Sequence, residues 1–382
     1  MLKNVLVVFG TRPEAIKMAP ICHELKKNTE YFNTTVCVTA QHREMLDQVL
    51  DLFDIVPDED LDTMEHGQDL TDITSSILIS MRVVFKKYKP DLVLVHGDTT
   101  TTLASSMAAF YADIPIAHIE AGLRTNNIYA PFPEEFNRQV VSKVARMHFA
   151  PTESSAENLL LEQCPKNNIF VTGNTVIDSL HWVINRFQKD SKRKDSIVKF
   201  LSKYINFDLD KNQYILITGH RRENFGKGFI DICEALSELA LKFPDMQFVY
   251  PVHLNPNVQN PVNSILSKFE NIHLIVPLDY EPFIYLLTKC FLVLTDSGGI
   301  QEEAPSIGKP VLVMRDVTER PEAVTAGTVK LVGANKINII KEVSQIIENE
   351  ASYLSMSQAH NPYGDGNASR RIINQIKRVL YE

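Results

Sequence analysis

Short apolar, β-branched runs alternate along the chain with longer stretches whose apolar positions recur at helical spacing. The runs at residues 2–9, 35–39, 92–96, 114–119 and 147–150 predict buried strands in the first half. Those at 214–218, 247–251, 272–276, 291–295 and 310–314 predict them in the second. Runs that are apolar throughout mark strands covered on both faces, and strands alternating with helices imply parallel βαβ units in a doubly wound sheet.

The stretch FQKDSKRKDSIVKFLSKYINFDLDKN, residues 187–212, is charged and poor in strand signal, which predicts helices outside the core near a domain boundary. The boundary is placed just after the strand-like IFVTGN, dividing the chain into residues 1–173 and 174–365. A tail, 366–382, carries one basic helix over 370–381 that is expected to pack back on the first domain. Two pairs of segments repeat one order: VLVVFGTRPE with ILITGHRREN, and LVLVHGDTTTTLASSMAAFYADIPIAHI with LVLTDSGGIQEEAPSIGKPVLV. The expected fold is therefore α/β, with two Rossmann-like domains facing a central cleft, where ligands bind at the carboxyl ends of the strands.

Composition narrows the function. At 44% hydrophobic and 23% charged over 382 residues, the chain has the make-up of a soluble globular protein. A net charge of −8 without a basic tract argues against nucleic acid or an anionic membrane as a partner, while leaving room for a local phosphate pocket. Five scattered cysteines without a CxxC pair argue against a disulfide framework or a zinc site and fit a reducing compartment. With no signal peptide and no apolar stretch near the roughly 18 residues a membrane span needs, the expected location is cytoplasmic.

The chemistry sits at the predicted strand ends. FGTRPEAIKMAP places Arg12 and Lys17 beside a helix N-terminus, a plausible diphosphate or carboxylate site. HGDTTTT puts Asp98 where it serves either as a helix cap or as a site acid. Glu120 follows a buried strand directly, where a carboxylate is costly unless paired or used. Glu134 and Glu135 suit the first turn of a helix, yet several acids near one cleft also make acid/base candidates. In the second half, TGHRREN brings His220, Arg221 and Arg222 to a strand end, and PVHLNPNV does the same for His253. Ser297, Gly298 and Gly299 lead from a strand into a helix that begins with Glu302 and Glu303. Small residues there let amide N–H groups face a phosphate, while one of the acids accepts from a ribose. RDVTERPEAVTAG adds Arg315, Glu319 and Arg320.

Taken in order, FGTRPEAIKMAP, TAQHREMLDQ, HGDTTTT, HIEAGLRT, PFPEEFNR, TGHRREN, DSGGIQEEAP, RDVTERPEAVTAGT and NPYGDGNAS closely resemble the bacterial non-hydrolysing UDP-N-acetylglucosamine 2-epimerases over essentially the whole chain. The resemblance implies the glycosyltransferase-B type of two-domain fold, a homodimer, and interconversion of UDP-GlcNAc and UDP-ManNAc without added metal or nicotinamide cofactor. It also implies a route through elimination of UDP to 2-acetamidoglucal and re-addition, supplying sugars for surface polysaccharide. By the same resemblance Asp98, Glu120 and Glu134 match the catalytic acids, their division between acid and base left open. His220 matches the histidine that stabilises departing UDP, and Arg12 and Lys17 match cations at the nucleotide-sugar site. Ser297, Gly298 and Gly299 match the phosphate loop, Glu303 the ribose acceptor, Arg320 a second anchor, and Leu278 and Phe283 the uracil contacts. A second, activating nucleotide-sugar site is matched by Gln41, His42, Gln68 and Arg221 or Arg222. Gly67 stands where relatives with that regulation carry arginine, which weighs against it. The rival readings are a hydrolysing epimerase, a glycosyltransferase of the same fold, and a nucleotide-sugar-binding regulator. The acids Asp98, Glu120 and Glu134 disfavour the last.

Overall fold

The first apolar run forms β1 (Lys3–Phe9), whose central residues are buried on both faces. The computed structural model describes residues 1–39, 43–63 and 67–382. By internal contacts the chain divides into two units, Met1–His181 with Tyr363–Glu382, and Trp182–Pro362. The division falls within the helix Thr175–Lys189.

In the first unit, β2 (Phe32–Val38), β3 (Glu59–Asp60), β4 (Leu92–His96), β5 (Ile116–Ile119), β6 (Met147–Ala150) and β7 (Ile169–Val171) join β1 in one sheet. The order is β3-β2-β1-β4-β5-β6-β7, parallel throughout. Every residue of β4, β5 and β6 is buried, the reason these strands read as unbroken apolar runs. Leu6, Val8, Val93 and Val95 pack with Ile77, Met81 and Ala104 from the covering helices. The tail belongs to this unit: Asp178 accepts from the backbone N–H of Ala368 (3.1 Å) and Ser369 (2.9 Å), at the start of the helix Ala368–Tyr381.

The second unit holds β8 (Tyr214–Thr218), β9 (Gln247–Pro251), β10 (Ile272–Ile275), β11 (Leu292–Thr295), β12 (Val311–Val313) and β13 (Val329–Leu331). Their order is β10-β9-β8-β11-β12-β13, again parallel. Ile215, Ile217, Leu292 and Leu294 pack against Phe229, Leu236 and Val343. The charged stretch 187–212 supplies the helix Ser191–Leu201, buried only through Ile197 and Leu201.

Strand order reverses between β1 and β4 in the first sheet and between β8 and β11 in the second. The repeated segments occupy equivalent places, β1 with β8 and β4 with β11. Each sheet thus opens a crevice at the carboxyl ends of that pair, where doubly wound folds bind ligands. No helix among the described residues is long and apolar enough to cross a membrane.

Candidate functional site

In the first unit the chain leaves β1 through Gly10 and enters the helix Arg12–Lys27, which Thr11 caps in a box with Glu14. Glu14 Oε2 accepts from the backbone N–H of Gly10 (3.0 Å) and Thr11 (2.8 Å), and Oε1 accepts from Thr99 Oγ1 (2.6 Å). Glu14 is only 2% exposed. Burial pushes its carboxyl above the usual range, against the pull of these donors. One carboxylate thus ties the loop after β1 to the loop after β4.

After β4 the helix Thr100–Tyr111 is capped by Thr99, not by Asp98. That frees the Asp98 side chain, and Arg138 takes it through Nε (2.8 Å) and Nη2 (2.7 Å) to Oδ2. Asn137 Nδ2 fixes the backbone by donating to Asp98 O at 2.7 Å. Arg138 and Asn137 come from the helix Glu134–Val144, one turn beyond its start.

Glu120 leaves β5 with φ of +59°, a left-handed conformation that costs a non-glycine residue about 1–2 kcal/mol. Its Oε2 accepts from Lys17 Nζ and, at 2.8 Å, from Asn174 Nδ2, and its side chain is 8% exposed. His96 Nε2 lies 3.8 Å from the same oxygen. His96 is fully buried with neither ring nitrogen hydrogen-bonded, and desolvation lowers its pKa to about 4. The two acids of the next helix have separate fates. Glu135 is inaccessible and accepts from Thr125 N (3.1 Å), Arg138 Nη1 (3.2 Å) and Gln139 Nε2 (3.0 Å). Glu134 Oε2 is buried without a hydrogen-bond partner, a state few side-chain oxygens in native proteins occupy. Arg12 is half-buried at the same sheet edge.

In the second unit Asp296 follows β11, inaccessible to solvent. Its Oδ2 accepts from the backbone N–H of His220 and of Arg221, each at 2.8 Å, and from Asn224 Nδ2 at 3.4 Å. The His220 ring stacks on His253, centroids 5.2 Å apart and planes 14° from parallel. Burial lowers the His220 pKa, with Asp296 opposing and His253 and Arg221 reinforcing.

The glycine loop has an instructive geometry. Gly299 has φ of −63°, and Gly298 is not among the residues with positive φ. A Cβ added to Gly298 would meet nothing nearer than Arg221 Nη2 at 4.0 Å, and at Gly299 nothing nearer than Glu303 Oε2 at 4.0 Å. Neither backbone conformation nor packing requires glycine here. Behind the loop, Glu302 pairs with Arg320, while Glu303 Oε1 accepts from Tyr280 Oη. Leu278 and Phe283 are half-buried around the start of the helix Tyr280–Lys289.

Within each unit, then, the candidates gather at the strand carboxyl ends: Arg12, Lys17, Asp98, Glu120 and Glu134 in one; His220, Arg221, Arg222, Ser297, Gly298, Gly299, Glu303 and Arg320 in the other. Gln68 donates to Thr63 O at 3.0 Å, and Gln41 and His42 lie outside the described residues. Glu14, Asn174, Tyr280 and Asp296 are not legible as site residues in the sequence alone. For Asp296 a signal existed, since the repeated segments share an aspartate after the strand. Among the described residues no group of three or more His, Cys, Asp or Glu is arranged to hold a metal ion.

The family model described as UDP-N-acetylglucosamine 2-epimerase matches residues 23–377. The chain is 58% identical to the UDP-N-acetylglucosamine 2-epimerase of Escherichia coli K12, over 98% of each chain. A crystal structure of UDP-GlcNAc 2-epimerase from Neisseria meningitidis, bound to UDP-GlcNAc, superposes with a TM-score of 0.89 at 54% identity, covering 98% of this chain and 100% of that one. The Methanocaldococcus jannaschii UDP-GlcNAc 2-epimerase, in complex with UDP-GlcNAc and UDP, gives a TM-score of 0.80 at 32% identity, over 98% of this chain and 99% of that one.

Proposed function

Since this chain belongs to the UDP-N-acetylglucosamine 2-epimerase family, we propose that it interconverts UDP-GlcNAc and UDP-ManNAc by eliminating and re-adding UDP. A carboxylate removes the C2 proton, the C2–H electrons form the C1=C2 bond, and the C1–O bond breaks to release UDP. The 2-acetamidoglucal then takes a proton at C2 on the other face while a diphosphate oxygen re-forms the bond to C1. Nothing is consumed, so the reaction is a reversible isomerisation.

The observation that carries this reading is Glu134 Oε2, buried and without a hydrogen-bond partner, beside two further acids held by cations. Three carboxylates suit a step that moves a proton at C2 while positive charge grows at C1. Asp98, Glu120 and Glu134 serve the sugar, Glu120 held ready by Lys17. Negative charge grows on the departing diphosphate, for which Arg12, His220, Arg320 and the amides of Ser297, Gly298 and Gly299 are the stabilising groups. Glu303 takes the ribose, and Leu278 and Phe283 the uracil. No step calls for a metal or a redox cofactor.

The same reading takes the enzyme to be a cytoplasmic homodimer that supplies ManNAc-type sugars to surface polysaccharide. It treats residues 1–173 as the catalytic domain, 174–365 as the UDP-binding domain and 366–382 as a returning helix. An activating nucleotide-sugar site at Gln41, His42, Gln68, Arg221 and Arg222 would show as a lag or sigmoid in rates measured with UDP-ManNAc alone.

The test is incubation with UDP-GlcNAc in heavy water, followed by NMR. Deuterium at C2 in both UDP-sugars, with little free UDP, is the expected result. Free ManNAc would select a hydrolysing enzyme instead, and absence of exchange would overturn the epimerase reading.

A further inference from the structure

We propose that Asp296 is the positioning residue of His220: its Oδ1 orients the imidazole with Nδ1–H toward the carboxylate and leaves Nε2 to meet the departing diphosphate. The inference rests on the reading above that His220 serves the diphosphate.

Asp296 is inaccessible to solvent, where an ionised carboxylate needs compensation. Only half of it is compensated. Oδ2 holds the backbone N–H groups of His220 and Arg221, each at 2.8 Å. Oδ1 has no hydrogen-bond partner and lies 3.6 Å from His220 Nδ1. The carboxylate that shapes the loop therefore also faces the ring carried by that loop, and a small ring rotation closes the remaining gap.

Three surrounding contacts restrict the alternatives. Thr218 and Thr295 share a hydrogen bond of 2.6 Å, which fixes the ends of β8 and β11 against each other. A Cβ on Gly219 would lie 3.1 Å from Tyr250 Oη and 3.7 Å from Asp296 Oδ2, so the chain is close-packed there. On the other side His253 stacks on the His220 ring and limits its rotation.

The charged and titratable groups facing His220 are Asp296, His253 and Arg221. Of these Asp296 alone favours the imidazolium. A bound diphosphate adds a second anion at Nε2, and the ring then takes a proton from solvent and bridges two negative groups. Orientation by a buried aspartate is the same physical role that fixes the histidine tautomer in hydrolytic triads.

Long-range proton–nitrogen NMR of the full chain, with His220→Gln used to assign the resonance, reads the tautomer without ligand. A neutral His220 protonated on Nδ1 is expected; protonation on Nε2 overturns the proposal. Asp296→Asn keeps an oxygen for the two backbone N–H groups but replaces the anionic Oδ1 with an amide. In that variant His220 is expected to titrate at lower pH, the alkaline fall in kcat to move to lower pH with it, and kcat to drop about 100-fold. KM is expected to stay within a few-fold. An unchanged titration and pH profile would overturn the proposal, and if the variant fails to fold, the wild-type tautomer decides. Wild-type activity in His220→Gln would instead remove the diphosphate role of His220, while the tautomer in the wild-type chain would still decide whether Asp296 orients the ring.

Discussion

Lys17 and Glu120 stand 103 positions apart in the chain, yet the lysine ammonium donates to Glu120 Oε2. Their side chains are 13% and 8% exposed, and Asn174 Nδ2 donates to the same oxygen at 2.8 Å. The cation that the sequence places at a diphosphate or carboxylate site pairs, within the folded unit, with the Glu120 side chain. Glu120 itself stands in a left-handed backbone conformation, with φ of +59°.

Replacing Lys17 with methionine removes that partner while keeping the apolar stem. Epimerisation is expected to slow about 100-fold, and urea denaturation to show a loss of about 2 kcal/mol, the scale of a charged hydrogen bond. Near-wild-type turnover would mean that Glu120 is positioned without Lys17.

Gly122 has φ of +91°, and an added Cβ would sit 2.1 Å from the carbonyl oxygen of Ser155. That oxygen belongs to the backbone of the helix Glu153–Leu161, which has no cheap way to move. Gly122→Ala is therefore expected to destabilise the protein by about 3–5 kcal/mol, from backbone strain and overpacking together. A denaturation midpoint equal to wild type would contradict this packing.

Tyr280→Phe removes the hydroxyl that donates to Glu303 Oε1. With Glu303 as ribose acceptor, KM for UDP-GlcNAc should rise about tenfold while kcat stays within about twofold, the pattern of lost uniform binding. A fall in kcat at unchanged KM would move Glu303 from binding to chemistry.

Three buried histidines set a pH dependence. Desolvation lowers His96 and His148 from 6.5 to about 4 and His118 to about 3. Because these pKa values are depressed on folding, the unfolded chain binds more protons as pH falls through 6.5. The stabilisation is thus complete above about 6.5 and is lost progressively toward pH 4 and below. Denaturation measured across this range should show stability rising with pH, with a shallower slope in His118→Asn. An equal slope in that variant would place the proton linkage elsewhere.

Much of the architecture was legible. All ten apolar runs form strands, since residues buried on both faces of a parallel sheet leave an unmistakable record. Strands β3 and β13 left none, since β3 is Glu59 and Asp60 without an apolar residue and β13 carries the exposed Lys330 at its centre. The candidate residues were legible as types at strand ends. Their partners were not: Asp98 reads either as a helix cap or as a site acid, and Thr99 holds the cap position while Arg138, 40 positions on, takes the aspartate.

What the chain determines by itself is local: which runs are apolar enough to bury, where Gly10, Thr11 and Pro13 turn strand into helix, and which charges follow each strand. Tertiary structure alone decided which charge meets which. Glu120 received Lys17 and Asn174, Glu134 Oε2 received no hydrogen bond, and Asp296 received the backbone of His220 and Arg221. The physical reason is range. Burial and turn geometry act within a few residues, whereas ion pairs and caps across the carboxyl ends of a sheet exist only after strands distant in sequence are brought side by side.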